Sequence, residues 1–426
     1  MPKEEDQNPQ PAAAARGTIS PELVENADAK PVEGGRLPVV LLLSTWIAGR
    51  AAVIFFARQP SHDVSAWFGS ENAFYYSFYR QILDSSESLL ADRLSEAPDT
   101  INALHRFNIY QEVSLALLYQ GLQSVTGSLP SAATFYCCGV YVLYGGGVFA
   151  LLWMAGSIDA ALLAAALYIS CLQECSHVSF MPPLRENFAM PLWFASCAAL
   201  QDLHQRHQRR AVTLGDKLPL LLSLTAFLLL WQFSCFALLL QAGALHAMAL
   251  LQLTSAGFLA TVSQLYVWSI LLSSCLRFGD PWVIRSPLFC ISAASAIVCW
   301  FLRTRRPWRR LLTGLLSWFA IAALLRLTLP STEDDAHIQN FLHFRLQGPM
   351  HQLFPSVVDA PAKLDYHASL YAGQRSFSSP SLQELPKPLF AAGAAGAGLL
   401  GLLSSKHSDF SAALRQLDGI HEQGLP

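Results

Sequence analysis

Nine stretches of this sequence are almost wholly apolar: 37–57, 135–156, 158–172, 188–203, 218–234, 235–251, 258–275, 288–302 and 311–329, each with at most one charged residue. A membrane-crossing helix needs about 20 mostly apolar residues, so these runs predict an all-α, polytopic membrane protein. Charged residues make up only 14% of the 426, where a soluble domain carries about 25%. That deficit argues against a soluble enzyme and a disordered scaffold. A formal net charge of −2 gives no field for gripping nucleic acid.

Residues 1–36 hold no aromatic and are rich in Pro, Ala and Glu, the composition of a disordered tail. The run at 37–57 is too long for a secretory signal core and reads as a retained anchor. The stretch 218–251 divides into two helices broken near Trp231-Gln232-Phe233-Ser234. Charge decides that count, because Lys and Arg collect in short cytoplasmic loops. Two basic clusters, Arg206/Arg209/Arg210/Lys217 and Arg303/Arg305/Arg306/Arg309/Arg310, fall on the same side only if the stretch is two helices. A weaker tenth run, 389–403, would reach about 22 Å. The expected domain plan is a cytoplasmic tail (1–36), a membrane domain of about ten helices (37–405) and a short cytoplasmic tail (406–426). Far-side loops are expected at 58–134, 173–187, 276–287 and 330–388. The nine cysteines sit in or beside apolar runs, an odd number that is no disulfide framework. Cys171 and Cys175 are a helical turn apart but lack further ligands for zinc.

Polar groups that survive in such a chain need a reason. Glu71 precedes the run Phe-Tyr-Tyr-Ser-Phe-Tyr-Arg80. Its aromatic surroundings would raise its pKa and suit it to proton transfer, or it is a first-turn glutamate stabilised by the helix dipole. Arg106-Phe-Asn-Ile-Tyr-Gln-Glu112 opens an interfacial helix, its charges solvated, paired or part of a site. Pro182-Pro-Leu-Arg185-Glu186 makes a rigid turn before a new helix. There Arg185 could hold a phosphate beside free backbone N–H groups, with His177 as a second donor, or could snorkel to headgroups or pair with Glu186. Gln232, in Trp231-Gln232, is interhelical glue or a ligand contact. Glu333, Asp334, Asp335 and His337 read as a solvated helix start or a divalent-cation site.

Taken together, these motifs resemble the dumpy-19-like family of protein C-mannosyltransferases. Glu71 with Tyr75-Tyr76-Ser77-Phe78-Tyr79-Arg80 matches the family's acid and its aromatic run. Arg106 to Val113 matches its Arg-Phe-Asn-x-Tyr-Pro-Glu-Val element, with Gln111 in place of proline. Pro182-Pro-Leu-Arg-Glu186, Trp231-Gln-Phe233 and Asp335-Ala-His-Ile338 follow in order. The resemblance implies a GT-C type bundle in the endoplasmic reticulum membrane with a lumenal active site. It implies transfer of mannose from dolichyl-phosphate-mannose to C2 of a tryptophan indole, in Trp-x-x-Trp sequences of secretory and membrane proteins. It assigns Glu71 as the catalytic base and Arg185, His177 and Gln232 to the donor phosphate. Arg106, Glu112, Tyr75 and Tyr76 are expected to brace the loop or face the acceptor, and no metal or cofactor is implied. Family members run longer, so the chain is expected to be short at its C-terminus. The alternative is a non-catalytic anchor or scaffold of the same family, or an inactive short form. A transporter would show inverted repeats, and no such symmetry is visible.

Overall fold

The computed structural model of the protein describes residues 35–58, 64–84, 89–172, 176–299 and 307–329. Among them are twelve α-helices and one isolated antiparallel bridge, Asp92 with Ile101. The expected tenth span, the acidic stretch from Glu333 to His337, Cys175 and the tails at 1–34 and 406–426 lie outside the described residues.

Helix α1 (Arg36–Ala57) lies beside α5 (Ala132–Met154), and α5 lies beside α7 (Arg185–Arg209). The series continues through α8 (Leu214–Leu230), α10 (Ala256–Leu276), α11 (Pro287–Val298) and α12 (Pro307–Thr328). Helix α6 (Ile158–Ser170) packs against α1 and α5, and α9 (Ser234–Leu250) against α11. Helices α1, α5, α10 and the 311–328 part of α12 are long and apolar enough to cross a membrane, while α6, α9 and α11 are shorter apolar helices. The protein is thus an all-helical membrane protein with several candidate spans. Between α1 and α5 the chain folds into α2 (Ser70–Asp84), a single turn α3 (Ala103–Arg106) and α4 (Tyr110–Thr126), with α2 packed on α4.

Local chemistry explains where these helices begin. Ser131, Ser157 and Ser255 each accept a hydrogen bond from the backbone N–H three residues on, at 3.3, 3.2 and 3.0 Å, which satisfies one orphan donor of each new helix. Thr213 and Asp216 form a reciprocal capping box at the start of α8. The expected break inside 218–251 is present: α8 stops at Leu230, Trp231 is extended and α9 starts at Ser234. One expectation needs correction. Arg206 and Arg209, read as loop cations, lie on the last turn of α7, and Arg206 and Arg210 both bind Asp216. Cations on the last turn are favourable at the helix's negative end, and Asp216 at the start of α8 pairs with Arg206 and Arg210.

Helices α5 and α7 touch backbone to backbone. A methyl group on Gly147 would lie 2.6 Å from Pro191 Cα, so only glycine fits. Small residues at such crossings are what membrane helices use to approach closely. Pro191 also removes one hydrogen bond from the interior of α7.

Candidate active site

Arg185 is the first residue of α7, following a Leu184 N-cap that makes no side-chain capping bond. The N-terminal amides of α7 are therefore not covered by a capping side chain, and the positive end of the helix dipole lies beside a guanidinium. Arg185 is nevertheless only 4% exposed. It is held from three sides: the Tyr75 ring lies under the guanidinium at 3.0 Å from its centroid, Glu112 Oε2 is 3.7 Å from Nη2, and Nη1 reaches the Leu230 carbonyl at 3.5 Å. Among the described residues, Nε and Nη2 find no hydrogen-bond acceptor at normal distance. A buried guanidinium with spare donors is costly unless a ligand completes its bonding.

Glu112 is buried on the first turn of α4. Burial pushes its carboxyl up, opposed by Arg185 and by the Tyr136 hydroxyl, which donates to Oε1 at 2.8 Å. Removing one partner of such a pair leaves the other charge unmatched, at a cost of about 3–5 kcal/mol.

Arg185 lines a cavity of about 460 Å³ that also takes in Glu71, His177, Glu186 and Gln232. Its other wall is Tyr144, Gly147 and Tyr168 with Met190, Pro191 and Phe194 of α7. From Arg185 to Phe194 the helix advances about 13 Å, so the cavity runs from a polar end at Arg185 to a more apolar end at Phe194. Such a shape matches a ligand with a charged head and a hydrocarbon chain. Glu71, on the first turn of α2, stands in the polar half. Partial burial raises its pKa, Glu186 raises it further, and Arg185 opposes them. His177 Nδ1 is 3.7 Å from Glu186 Oε1.

The structure therefore brings four of the expected residues, Glu71, His177, Arg185 and Gln232, to one cavity. Glu71 is both a first-turn residue of α2 and a residue of the cavity lining. Arg185 pairs with Glu112 rather than with Glu186. Glu112 is thus a direct partner of Arg185, and Tyr75 packs on the same group. Tyr76 is not a cavity residue: it is buried between Phe68, Tyr79 and Tyr136. Arg106 lies away from the cavity, in an exposed bond to Glu96 at 2.8 Å. Tyr136 and Asn108 have no role in the sequence reading, and Glu186 enters it only as a candidate partner of Arg185. A tyrosine hydroxyl in an apolar run is a weak cue that some polar group faces it. Among the described residues no group of three or more His, Cys, Asp or Glu side chains could hold a metal ion.

Fold and cavity define a helical membrane protein with an amphipathic pocket at the end of a helix, its charged part made of one arginine, one histidine and two glutamates. The sequence pattern of Dpy19, described as Q-cell neuroblast polarisation, matches residues 61–388. The chain belongs to this family. It is 28% identical over 337 residues to the protein C-mannosyl-transferase DPY19L1 of Mus musculus, an alignment covering 67% of this chain and 44% of that protein. The Homo sapiens protein of the same name is 28% identical over 339 residues, covering 67% and 48%. The C-mannosyltransferase dpy-19 of Caenorhabditis elegans is 24% identical over 330 residues, again covering 67% and 48%. The chain spans less than half the length of these curated relatives.

Proposed function

We propose that the cavity is the active site of a protein C-mannosyltransferase that takes mannose from dolichyl-phosphate-mannose and attaches it to C2 of a tryptophan indole in Trp-x-x-Trp sequences. The observation that carries this reading is the buried Arg185, at a helix N-terminus and in one cavity with Glu71; its Nε and Nη2 make no hydrogen bond within the described residues, although Nη2 faces Glu112 at 3.7 Å. Relatives named C-mannosyltransferases support it.

In this reading the donor phosphate binds Arg185 and the N-terminal amides of α7, with its first isoprene units along Met190, Pro191 and Phe194. Indole C2 attacks the anomeric carbon as the bond from that carbon to the phosphate oxygen breaks. The phosphate leaves with a second negative charge, which the guanidinium stabilises more strongly than the first. Glu71 then accepts the C2 proton, restoring the aromatic ring. A carboxylate with a raised pKa is a better base at neutral pH than an ordinary one. Gln232 and His177 are further polar contacts for the donor, and Arg185 rather than a metal ion supplies the positive charge. The cavity mouth faces the endoplasmic reticulum lumen.

Coexpression of the chain with a Trp-x-x-Trp reporter tests the reading by mass spectrometry. The wild type should add one hexose to the indole. Glu71→Gln should insert into membranes but leave the reporter unmodified. An undiminished yield from Glu71→Gln would overturn the base assignment.

A further inference from the structure

Three consecutive carbonyls at the end of α8 are met by groups from elsewhere in the chain. The last four carbonyls of a helix have no partner within it, and in α8 these are 227–230. Asn108 Nδ2 donates to the Leu228 carbonyl at 3.4 Å and to the Leu229 carbonyl at 2.9 Å. The Leu230 carbonyl is left to Arg185 Nη1 at 3.5 Å. Asn108 is buried, and it sits between α3 and α4, immediately before the helix that carries Glu112.

This helix end is the negative pole of α8, and the residues that follow it, Trp231, Gln232 and Phe233, form a wall of the cavity. Bare carbonyls there would do two things. They would compete for the Arg185 guanidinium, which has five donors to share, and they would repel an anion bound beside it. We propose that Asn108 is a positioning residue: by capping the carboxyl end of α8 it holds the 231–233 segment against the cavity and keeps the Arg185 donors available to an anionic lipid ligand. The ligand half of this inference rests on the donor-site reading above; the capping half does not.

Two measurements on the full chain in detergent or nanodiscs separate the halves. The first is binding of a short-chain isoprenyl phosphate to wild type, Asn108→Ala, Asn108→Asp and Arg185→Ala. The second is backbone hydrogen exchange across 228–236. Asn108→Ala should bind the probe about tenfold more weakly, the factor expected when a buried hydrogen-bonding group loses its partner. Exchange at 231–236 should rise at the same time. Asn108→Asp keeps the side-chain size but sets a carboxylate against two carbonyls, so it should weaken binding further; it also serves if the alanine variant does not accumulate. In a transfer assay the change should fall on KM for the lipid donor, leaving KM for the acceptor peptide and kcat as in wild type. Simple destabilisation would instead lower the amount of active protein with KM unchanged.

Unaltered probe binding and unaltered exchange in both Asn108 variants would overturn the proposal and leave the donor-site reading intact. A wild type that binds no isoprenyl phosphate, or an Arg185→Ala variant that binds it equally well, would overturn the donor-site reading and the ligand half with it. Faster exchange in the Asn108 variants would then still establish the cap.

Discussion

The residues proposed to carry the chemistry have coupled charges. Glu71 is raised first by burial and then by Glu186, with Arg185 pulling the other way. If Glu71 is the base, transfer requires its ionised form, so the acid limb of the pH profile lies above the ordinary value of 4.5. Glu186→Gln removes a negative neighbour, lowers the cost of ionising Glu71 and should move that limb to lower pH. The shift should be partial, because burial is the larger cause and stays. A pH series of kcat/KM on the reporter peptide measures it. A limb that stays in place, or moves upward, would contradict the coupling. Sequence made Glu71 and Arg185 legible because an acid among aromatics and a cation after a Pro-Pro turn are both out of place in a chain of low charge. The partner of Arg185 was not legible. Glu112 and Arg185 lie far apart in the chain, and only the way α4 sits on the bundle brings them to 3.7 Å.

Elements decide how wide the cavity is. Helices α5 and α7 are in contact where Gly147 meets Pro191, and both residues line the cavity. Gly147→Ala would put a methyl group 2.6 Å from the Pro191 backbone, which no rotamer change relieves. The helices must separate, at about 1–3 kcal/mol for an overpacked contact. Thermal unfolding of the purified variant should therefore fall below wild type, and transfer should drop even where the protein remains folded, since the floor of the cavity moves. Gly146→Ala, where an added methyl meets nothing within 4 Å, is the matched control and should behave as wild type. Equal melting of Gly147→Ala and wild type would contradict the close crossing. Helix positions were readable from apolar runs because hydropathy reports burial in lipid or protein alike. Helix ends were less readable. Arg206 on the last turn of α7 pairs with Asp216 of the next helix, a contact that hydropathy does not register.

At the scale of the whole molecule, α7 runs from the cavity to the basic residues near Asp216. Its 25 residues extend about 37 Å, more than the roughly 30 Å hydrocarbon core of a bilayer. Its two ends therefore reach opposite surfaces if the helix runs near the membrane normal. Arg185 and the cavity are at one end; Arg206 and Arg210, paired with Asp216, are at the other. Basic residues beside spans mark the cytoplasmic side, so the proposed function predicts that the cavity opens to the lumen, where secretory acceptors and a lipid-linked sugar would meet. An Asn-x-Ser/Thr acceptor site inserted between α4 and α5, at Gly127, should be N-glycosylated when the chain is made with microsomes. The same insert between α7 and α8, at 211–212, should stay unmodified. Since α5 and α6 separate the first position from the start of α7, the pair of inserts tests the number of crossings as well as their direction. Glycosylation at 211–212 with none at 127 would invert the bundle and place the cavity in the cytoplasm, which is incompatible with the proposed substrates. Modification at both positions would mean that α5, α6 and α7 together cross an even number of times, so that one of them does not span. Helix α6 is the one to suspect in that case, because its 13 residues extend only about 20 Å.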